Sequence, residues 1–213
     1  VVCADGQIYT AAAVIIATGT RERLLNIPNE KELTGKGVSY CAVCDGSFFR
    51  DQPVTVIGGG NSALEESLYL TQIASEVHIV IRRDVFRAEP IIQQAIEQNP
   101  KIDIIRSHVP VEILDLDGKV GGIVLKNVHD GKLTTLDTKA VFPYIGADPC
   151  TEFAQDLGIL DDHGYILVNN NMETACPGIY GVGDVTAKTL RQVVTAANDG
   201  AIAAQRAFHQ IKQ

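Results

Sequence analysis

Two cysteines two residues apart, Cys41 and Cys44, are followed directly by Asp45. Thiols at this spacing can close a small disulfide, and the adjacent carboxyl can carry a proton. The trio therefore suits dithiol redox chemistry, the other option for a Cys-x-x-Cys pair being half of a metal site. A dozen residues on, Val54-Thr55-Val56-Ile57 reads as a buried strand, Gly58-Gly59-Gly60 as a turn, and the stretch from Asn61 as a helix with Ala63, Leu64, Ser67, Leu68 and Leu70 on one face. Strand, glycine turn and helix in that order make a dinucleotide site. Gly58 permits the tight turn, Gly60 lets a backbone approach a pyrophosphate, and Ala63 takes the third place, where a small residue lets helix and strand pack closely. A hydride donor and a dithiol are thus neighbours in the sequence.

The second strand of such a fold ends at the adenosine ribose, where an acidic residue favours NAD by bonding the 2′-hydroxyl. Arg82 and Arg83 stand there instead, with Arg87 close enough to join them. Guanidiniums at that place suit a 2′-phosphate, so NADPH is preferred over NADH. An Arg-Arg pair alone would be an ordinary solvated surface feature; its position after this strand gives it meaning. Glu65 is either a helix-surface carboxylate or a contact at the nicotinamide end. Asp184, after an apolar strand and before a long helix, either caps that helix or bonds a cofactor hydroxyl, and Arg191 and Gln192 offer donors at the same place.

Composition bounds what these residues can serve. The chain has 213 residues, 46% of them hydrophobic, enough for one large or two small cores. With 26 acidic against 18 basic residues the net charge is −8, which argues against nucleic acid or an anionic membrane as a partner. No apolar run approaches the ~20 residues of a membrane span and the N-terminus has no signal-peptide pattern, so a cytoplasmic location is expected. The five cysteines, Cys3, Cys41, Cys44, Cys150 and Cys176, are odd in number and scattered apart from one pair. That is no secreted disulfide framework, and zinc would need two more ligands that neither Cys150 nor Cys176 supplies by spacing; no metal is expected.

The elements that position these groups follow from periodicity. Val1–Thr20 holds an Asp5-Gly6 turn and an apolar strand running to Gly19, and residues 21–38 read as a connection. From Val54 the pattern is strand, helix (61–73), strand (77–81), helix (90–98), strand (102–106), a mononucleotide-binding half with a parallel sheet. Between Val111 and Thr138, Asp117-Gly118 and Asp130-Gly131 mark a three-stranded antiparallel meander. Ala140–Ile145 is a further apolar strand, Gly178–Asp184 the last strand, and a helix is expected from about Thr189 to Ile211.

Together, Ala17-Thr18-Gly19, CAVCDG at 41–46, GGGNSALEE at 58–66, IRRDVFRAE at 81–89 and GVGDVTAKTLRQV at 181–193 closely resemble low-molecular-weight, bacterial-type thioredoxin reductases over almost the whole chain. The resemblance implies an α/β protein of two dinucleotide-binding (Rossmann-like) three-layer domains. An NADPH and redox-disulfide domain, residues 25–145, would be inserted into an FAD domain formed by residues 1–24 and 146–213. It implies a homodimer that uses NADPH to reduce FAD, FAD to reduce the Cys-x-x-Cys disulfide, and the dithiol to reduce thioredoxin. Cys44 would face the flavin, Cys41 would be its partner and Asp45 the acid. Gly58, Gly60, Asn61, Ser62, Ala63, Glu65, Arg82, Arg83 and Arg87 would hold NADPH, and Gly19, Gly183, Asp184, Arg191, Gln192 and Val193 would meet FAD. The inserted domain would swing on hinges at 21–38 and about 146–150. Two departures stand out: Ile81 occupies a place usually held by histidine, and the family's N-terminal glycine-rich turn for the ADP half of FAD is missing, so the FAD domain is expected to be incomplete and to bind FAD poorly. Two alternatives remain: the flavoprotein subunit of alkyl hydroperoxide reductase, which normally lacks the Arg-Arg pair, and a silent NADPH-binding fragment.

Overall fold

A computed structural model describes residues 1–212. In chain order the elements are β1 (Val14–Ile16), β2 (Thr20–Glu22), α1 (Ala42–Asp45), β3 (Pro53–Ile57), α2 (Asn61–Leu70), β4 (Glu76–Val80), α3 (Pro90–Glu97), β5 (Ile102–Ile105), β6 (His108–Leu116), β7 (Lys119–Asn127), β8 (Leu133–Leu136), β9 (Ala140–Pro143), β10 (Ala147–Pro149), β11 (Ile179–Gly181) and α4 (Val193–Ile211). They divide into two compact units, Arg23–Gly146 and Val1–Glu22 with the residues from Ala147 onward. No helix among the described residues is long and apolar enough to cross a membrane.

The Arg23–Gly146 unit is built on a parallel sheet of order β5-β4-β3-β9. A strand buried on both faces reads as a continuous apolar run, and β3 shows how its period of two sorts that run. Val54 and Val56 face the helices with Leu64, Leu70 and Phe142, whereas Ile57 faces the opposite core with Ile113, Ile123 and Leu125 from the β6-β7-β8 meander. The layers are therefore helices, parallel sheet and meander. The turn between β6 and β7 is Asp117-Gly118, both with positive φ (52° and 78°), the backbone that an Asp-Gly pair favours in a two-residue hairpin.

The other unit, among its described residues, pairs β1 with β11 in parallel and β2 with β10 antiparallel. Its longest helix, α4, buries Asp199, Ala203 and Ala207, and a separate apolar cluster gathers Ile16, Ala154, Ile159, Ile166 and Val185.

Three expectations are corrected. Residues 21–38 are more than a connection: β2 claims their first two, Leu33 and Val38 are fully buried, and the buried Glu30 carboxylate accepts the N–H groups of Leu25 and Asn26 at 2.8 Å and the Tyr40 hydroxyl at 3.1 Å. Two core residues five apart follow no helical or strand period, so the pattern concealed them. Helix α4 starts at Val193, not near Thr189, because Gln192 is its N-cap in a capping box with Thr195. Asp184 consequently does not cap it and lies instead in a short 3-10 turn, Gly183–Val185. Helix α2 stops at Leu70, three residues early.

Candidate active site

Cys41 and Cys44 form a disulfide, with Cα atoms 5.2 Å apart. Cys41 is the N-cap of α1, and its Sγ accepts the Cys44 N–H at 3.2 Å, so the sulfur that enters the bridge also caps the short helix. Cys41 is half-buried and Cys44 exposed, as are the neighbouring Val43 and Phe48. Asp45 sits in the same turn, and Ser39 Oγ donates to its Oδ2 at 2.6 Å while accepting the Cys41 N–H at 3.1 Å. Ser39 thus positions both the carboxyl and the start of the redox turn. Replacing the buried Ser39 with alanine is expected to lower the unfolding free energy by about 1–2 kcal/mol, since its hydrogen bonds to the Asp45 carboxyl and the Cys41 N–H are lost. Chemical denaturation checks this, and an unchanged midpoint would deny the hydroxyl that role. Among the described residues no three His, Cys, Asp or Glu side chains gather to hold a metal ion.

The glycine turn lies in the same unit and is tied to the disulfide through Tyr144. The Tyr144 hydroxyl accepts the Ala42 N–H at 2.7 Å, and its carbonyl oxygen is 2.3 Å from where a Cβ on Gly58 would stand. Gly58 has φ +147° and that same Cβ position is 3.1 Å from the Ala63 Cβ, so neither residue can grow. At Gly60 the space is open, and Gly60 caps α2 with no side chain bonded to the first-turn N–H groups. A pyrophosphate fits there: room for the ligand, bare donors and the positive end of a helix of ten residues. Ser62 and Glu65 are exposed on α2, whereas Asn61 is engaged with Glu89, its Nδ2 donating to Glu89 Oε1 at 3.2 Å and its Oδ1 accepting the Glu89 N–H at 2.8 Å. Next along α2, Glu66 is half-buried with Oε2 shielded and unpartnered; burial, then the adjacent Glu65, raises its carboxyl above the ordinary carboxylate range.

At the carboxyl ends of β3 and β4 a cleft of about 480 Å³ opens beside the glycines, with Arg82, Arg83 and Arg87 on its wall. The Arg87 N–H donates to the Gly59 carbonyl at 2.7 Å, fastening the arginine segment to the glycine turn. Those three cations stand near the bare helix start, an arrangement that could take a phosphorylated dinucleotide.

In the other unit, Gly19 and Gly183 leave the carboxyl ends of the parallel neighbours β1 and β11, and both have positive φ (69° and 74°). Asp184 follows, with Oδ1 shielded and without a hydrogen-bond partner. Burial, then the nearby Asp184, raises the Glu22 carboxyl above the ordinary range, while Arg191 pulls it back. Arg191 Nε donates to the Asp184 carbonyl at 3.2 Å and its guanidinium lies 4.4 Å over the Tyr165 ring. An unpartnered carboxylate oxygen beside a glycine turn fits a ligand hydroxyl, as on the ribityl chain of a flavin. Gln192 is committed to capping and Val193 is exposed at the head of α4. Sequence spacing thus brought Gly183 to Val193 into one segment, but the helix geometry gives Gln192 a structural task as well.

A profile for pyridine nucleotide-disulphide oxidoreductases matches residues 1–200. The thioredoxin reductase of Bacillus subtilis (strain 168) is 46% identical over 213 residues, all of this chain and 67% of the relative. The chain belongs to the thioredoxin reductase family. The Listeria monocytogenes thioredoxin reductase is 45% identical over 212 residues, covering 66% of that relative. Among solved structures, thioredoxin reductase from Streptococcus pyogenes superposes with a TM-score of 0.90 at 48% identity, over 94% of this chain and 65% of that one. That from Giardia duodenalis gives 0.93 at 37%, over 99% and 69%. The chain spans about two thirds of the length of the curated relatives it matches.

Family membership gives Ser39 and Tyr144 their interest, since neither stands out in the sequence. Ser39 precedes the cysteine pair by two residues, within reach of a local side-chain turn, and Tyr144 ends an apolar strand just before Gly146. A strand-end tyrosine beside a glycine is a weak sign of cofactor-side packing, and only the fold shows that its hydroxyl and its carbonyl serve different halves of the site.

Proposed function

We propose that this chain is the NADPH- and FAD-dependent disulfide reductase segment of a thioredoxin reductase, acting on thioredoxin as a cytoplasmic homodimer with no nucleic-acid role. The carrying observation is that the Cys41–Cys44 disulfide and the arginine-walled glycine cleft share one compact unit, joined through Tyr144. When bound, NADPH supplies a hydride and FAD relays its two electrons.

The residues of the chain then divide the work. Gly58 and Gly60 admit the pyrophosphate, Ala63 keeps α2 against β3, and Arg82, Arg83 and Arg87 neutralise the 2′-phosphate, with Ser62 and Glu65 on the exposed face of the same helix. Asp184, held by Arg191, orients the flavin together with the glycine turns at Gly19 and Gly183 and with Val193 at the head of α4. The disulfide takes up two electrons and two protons to become two thiols, and Asp45 Oδ1, the oxygen that Ser39 leaves open, is placed to hold one of those protons. Thiol–disulfide exchange with the partner passes through a mixed disulfide and returns Cys41–Cys44 to the oxidised state, the partner leaving as its dithiol. Exposed Val43 and Phe48 beside Cys44 offer an apolar rim for a protein substrate.

The test is thioredoxin-dependent oxidation of NADPH by the 213-residue chain with FAD in excess. Turnover requiring thioredoxin, NADPH and FAD together is the expected result. Reduction of a peroxidase partner with thioredoxin left oxidised would favour the alkyl hydroperoxide reductase alternative, and FAD uptake with NADPH oxidation that reaches no disulfide partner would overturn the reductase reading.

A further inference from the structure

Arg82, Arg83 and Asp84 lie beyond the end of β4 in a bend that belongs to no strand or helix, and all three are exposed. Two long cations on an irregular segment meet a phosphate reliably only where their backbone is held. The ends of the segment are fastened. Ile81 donates its N–H to the Ile105 carbonyl and accepts the His108 N–H, both at 3.0 Å, and the Arg87 N–H donates to the Gly59 carbonyl at 2.7 Å. Between those ends one residue, Ser107, grips the segment twice. Its N–H donates to the Arg83 carbonyl at 3.3 Å, and its Oγ donates to Asp84 Oδ1.

Ser107 stands between β5 and β6, is buried, and has φ +54°. That is the left-handed region, which a residue other than glycine occupies at some cost and keeps only where its surroundings hold it. Its carbonyl accepts the Val128 N–H at 2.8 Å just past the end of β7, so the meander anchors it, while both of its donors go to the arginine segment. Asp84 does not line the cleft as Arg82 and Arg83 do, and His129 Nε2 lies 3.8 Å from the oxygen that Ser107 bonds. The Ser107 bond most of all, with His129 and Arg106 adding to it, holds the Asp84 carboxyl below the ordinary carboxylate range, so it stays an ionised acceptor.

We infer that Ser107 is a positioning residue for the 2′-phosphate: by gripping the Arg83 carbonyl and the Asp84 carboxylate it fixes the backbone that presents Arg82 and Arg83 to the cleft. This rests on the NADPH reading of the cleft. A nucleotide without the 2′-phosphate is held by the glycine turn and the start of α2, so the Ser107–Asp84 bond matters for one class of ligand and not for the other.

Titration calorimetry of the full chain with NADP⁺ and with NAD⁺ tests it. Ser107→Ala is expected to weaken NADP⁺ about 3- to 10-fold, the worth of one hydrogen bond, and NAD⁺ less than about twofold. Asp84→Ala and Asp84→Asn both remove the carboxylate charge, but only asparagine keeps an oxygen to accept from Ser107. Asp84→Ala is therefore expected to bind NADP⁺ about 3- to 10-fold more weakly than Asp84→Asn, with NAD⁺ the same for both. Asp84 is exposed, so this pair decides the matter even where Ser107→Ala fails to fold. Equal losses for the two nucleotides, unchanged NADP⁺ binding in Ser107→Ala, or equal NADP⁺ binding by the two Asp84 variants overturns the inference while leaving the NADPH reading intact. If wild type fails to distinguish NADP⁺ from NAD⁺, the NADPH reading fails and this inference fails with it.

Discussion

Replacing Cys44 or Cys41 with serine is expected to reduce thioredoxin reduction to background while leaving NADPH binding unchanged. On the proposed function electrons reach a protein disulfide through Cys41–Cys44, and a serine hydroxyl can neither accept the electron pair nor form a mixed disulfide. Neither substitution is expected to disturb the turn. Cys41 caps α1 through its sulfur and a serine can cap in its place, so Cys41→Ser keeps the turn; Cys44 supplies the N–H and is exposed, so Cys44→Ser disturbs little besides the bond. Turnover assays with thioredoxin, set beside NADPH titrations, read both parts. Substantial turnover in either variant would make the bridge a structural staple.

The second large effect is expected from Arg82→Ala combined with Arg83→Ala. Each lost charge-assisted contact to a 2′-phosphate is worth about 1.5–3 kcal/mol, so the pair corresponds to roughly a hundredfold to ten-thousandfold loss of NADPH affinity. The effect on NADH should be within about threefold, because the contacts it shares with NADPH are made by the glycine turn and the start of α2. Comparing dissociation constants for the two nucleotides checks this. A loss of the same size for both would mean that the arginines shape the cleft and do not select the phosphate.

The parts of this molecule that obey a period were legible in the sequence. The β3, α2, β4 succession follows from an apolar run, three glycines and an amphipathic stretch, and the β6-β7-β8 meander follows from two Asp-Gly pairs. The Cys41–Cys44 bridge and the gathering of Arg82, Arg83 and Arg87 beside the glycines were equally legible, because residue type at fixed spacing carries both. What stayed hidden depends on contacts between distant stretches. Tyr144 reaches Ala42 across 102 positions, and Glu30 is buried by backbone donors that leave no trace in its side-chain neighbours. The start of α4 was misplaced because Thr189, Leu190, Arg191 and Gln192 are all compatible with helix. The reciprocal Gln192–Thr195 bonds decide the boundary, and Gln is an uncommon cap.

The disulfide closes one of the shortest rings a chain can make, a sequence separation of three. On the chain-entropy account such a ring restricts the unfolded ensemble by only about 2 kcal/mol, against nearly 5 for a loop of a hundred residues. Ala42, between the two cysteines, is wholly buried and gives its backbone N–H to the Tyr144 hydroxyl, a bond that involves neither sulfur. Electron storage and architectural integrity are thereby uncoupled. A bridge broken and remade with every catalytic cycle can do so as a change of bonding within one turn of chain, without a folding transition setting the pace.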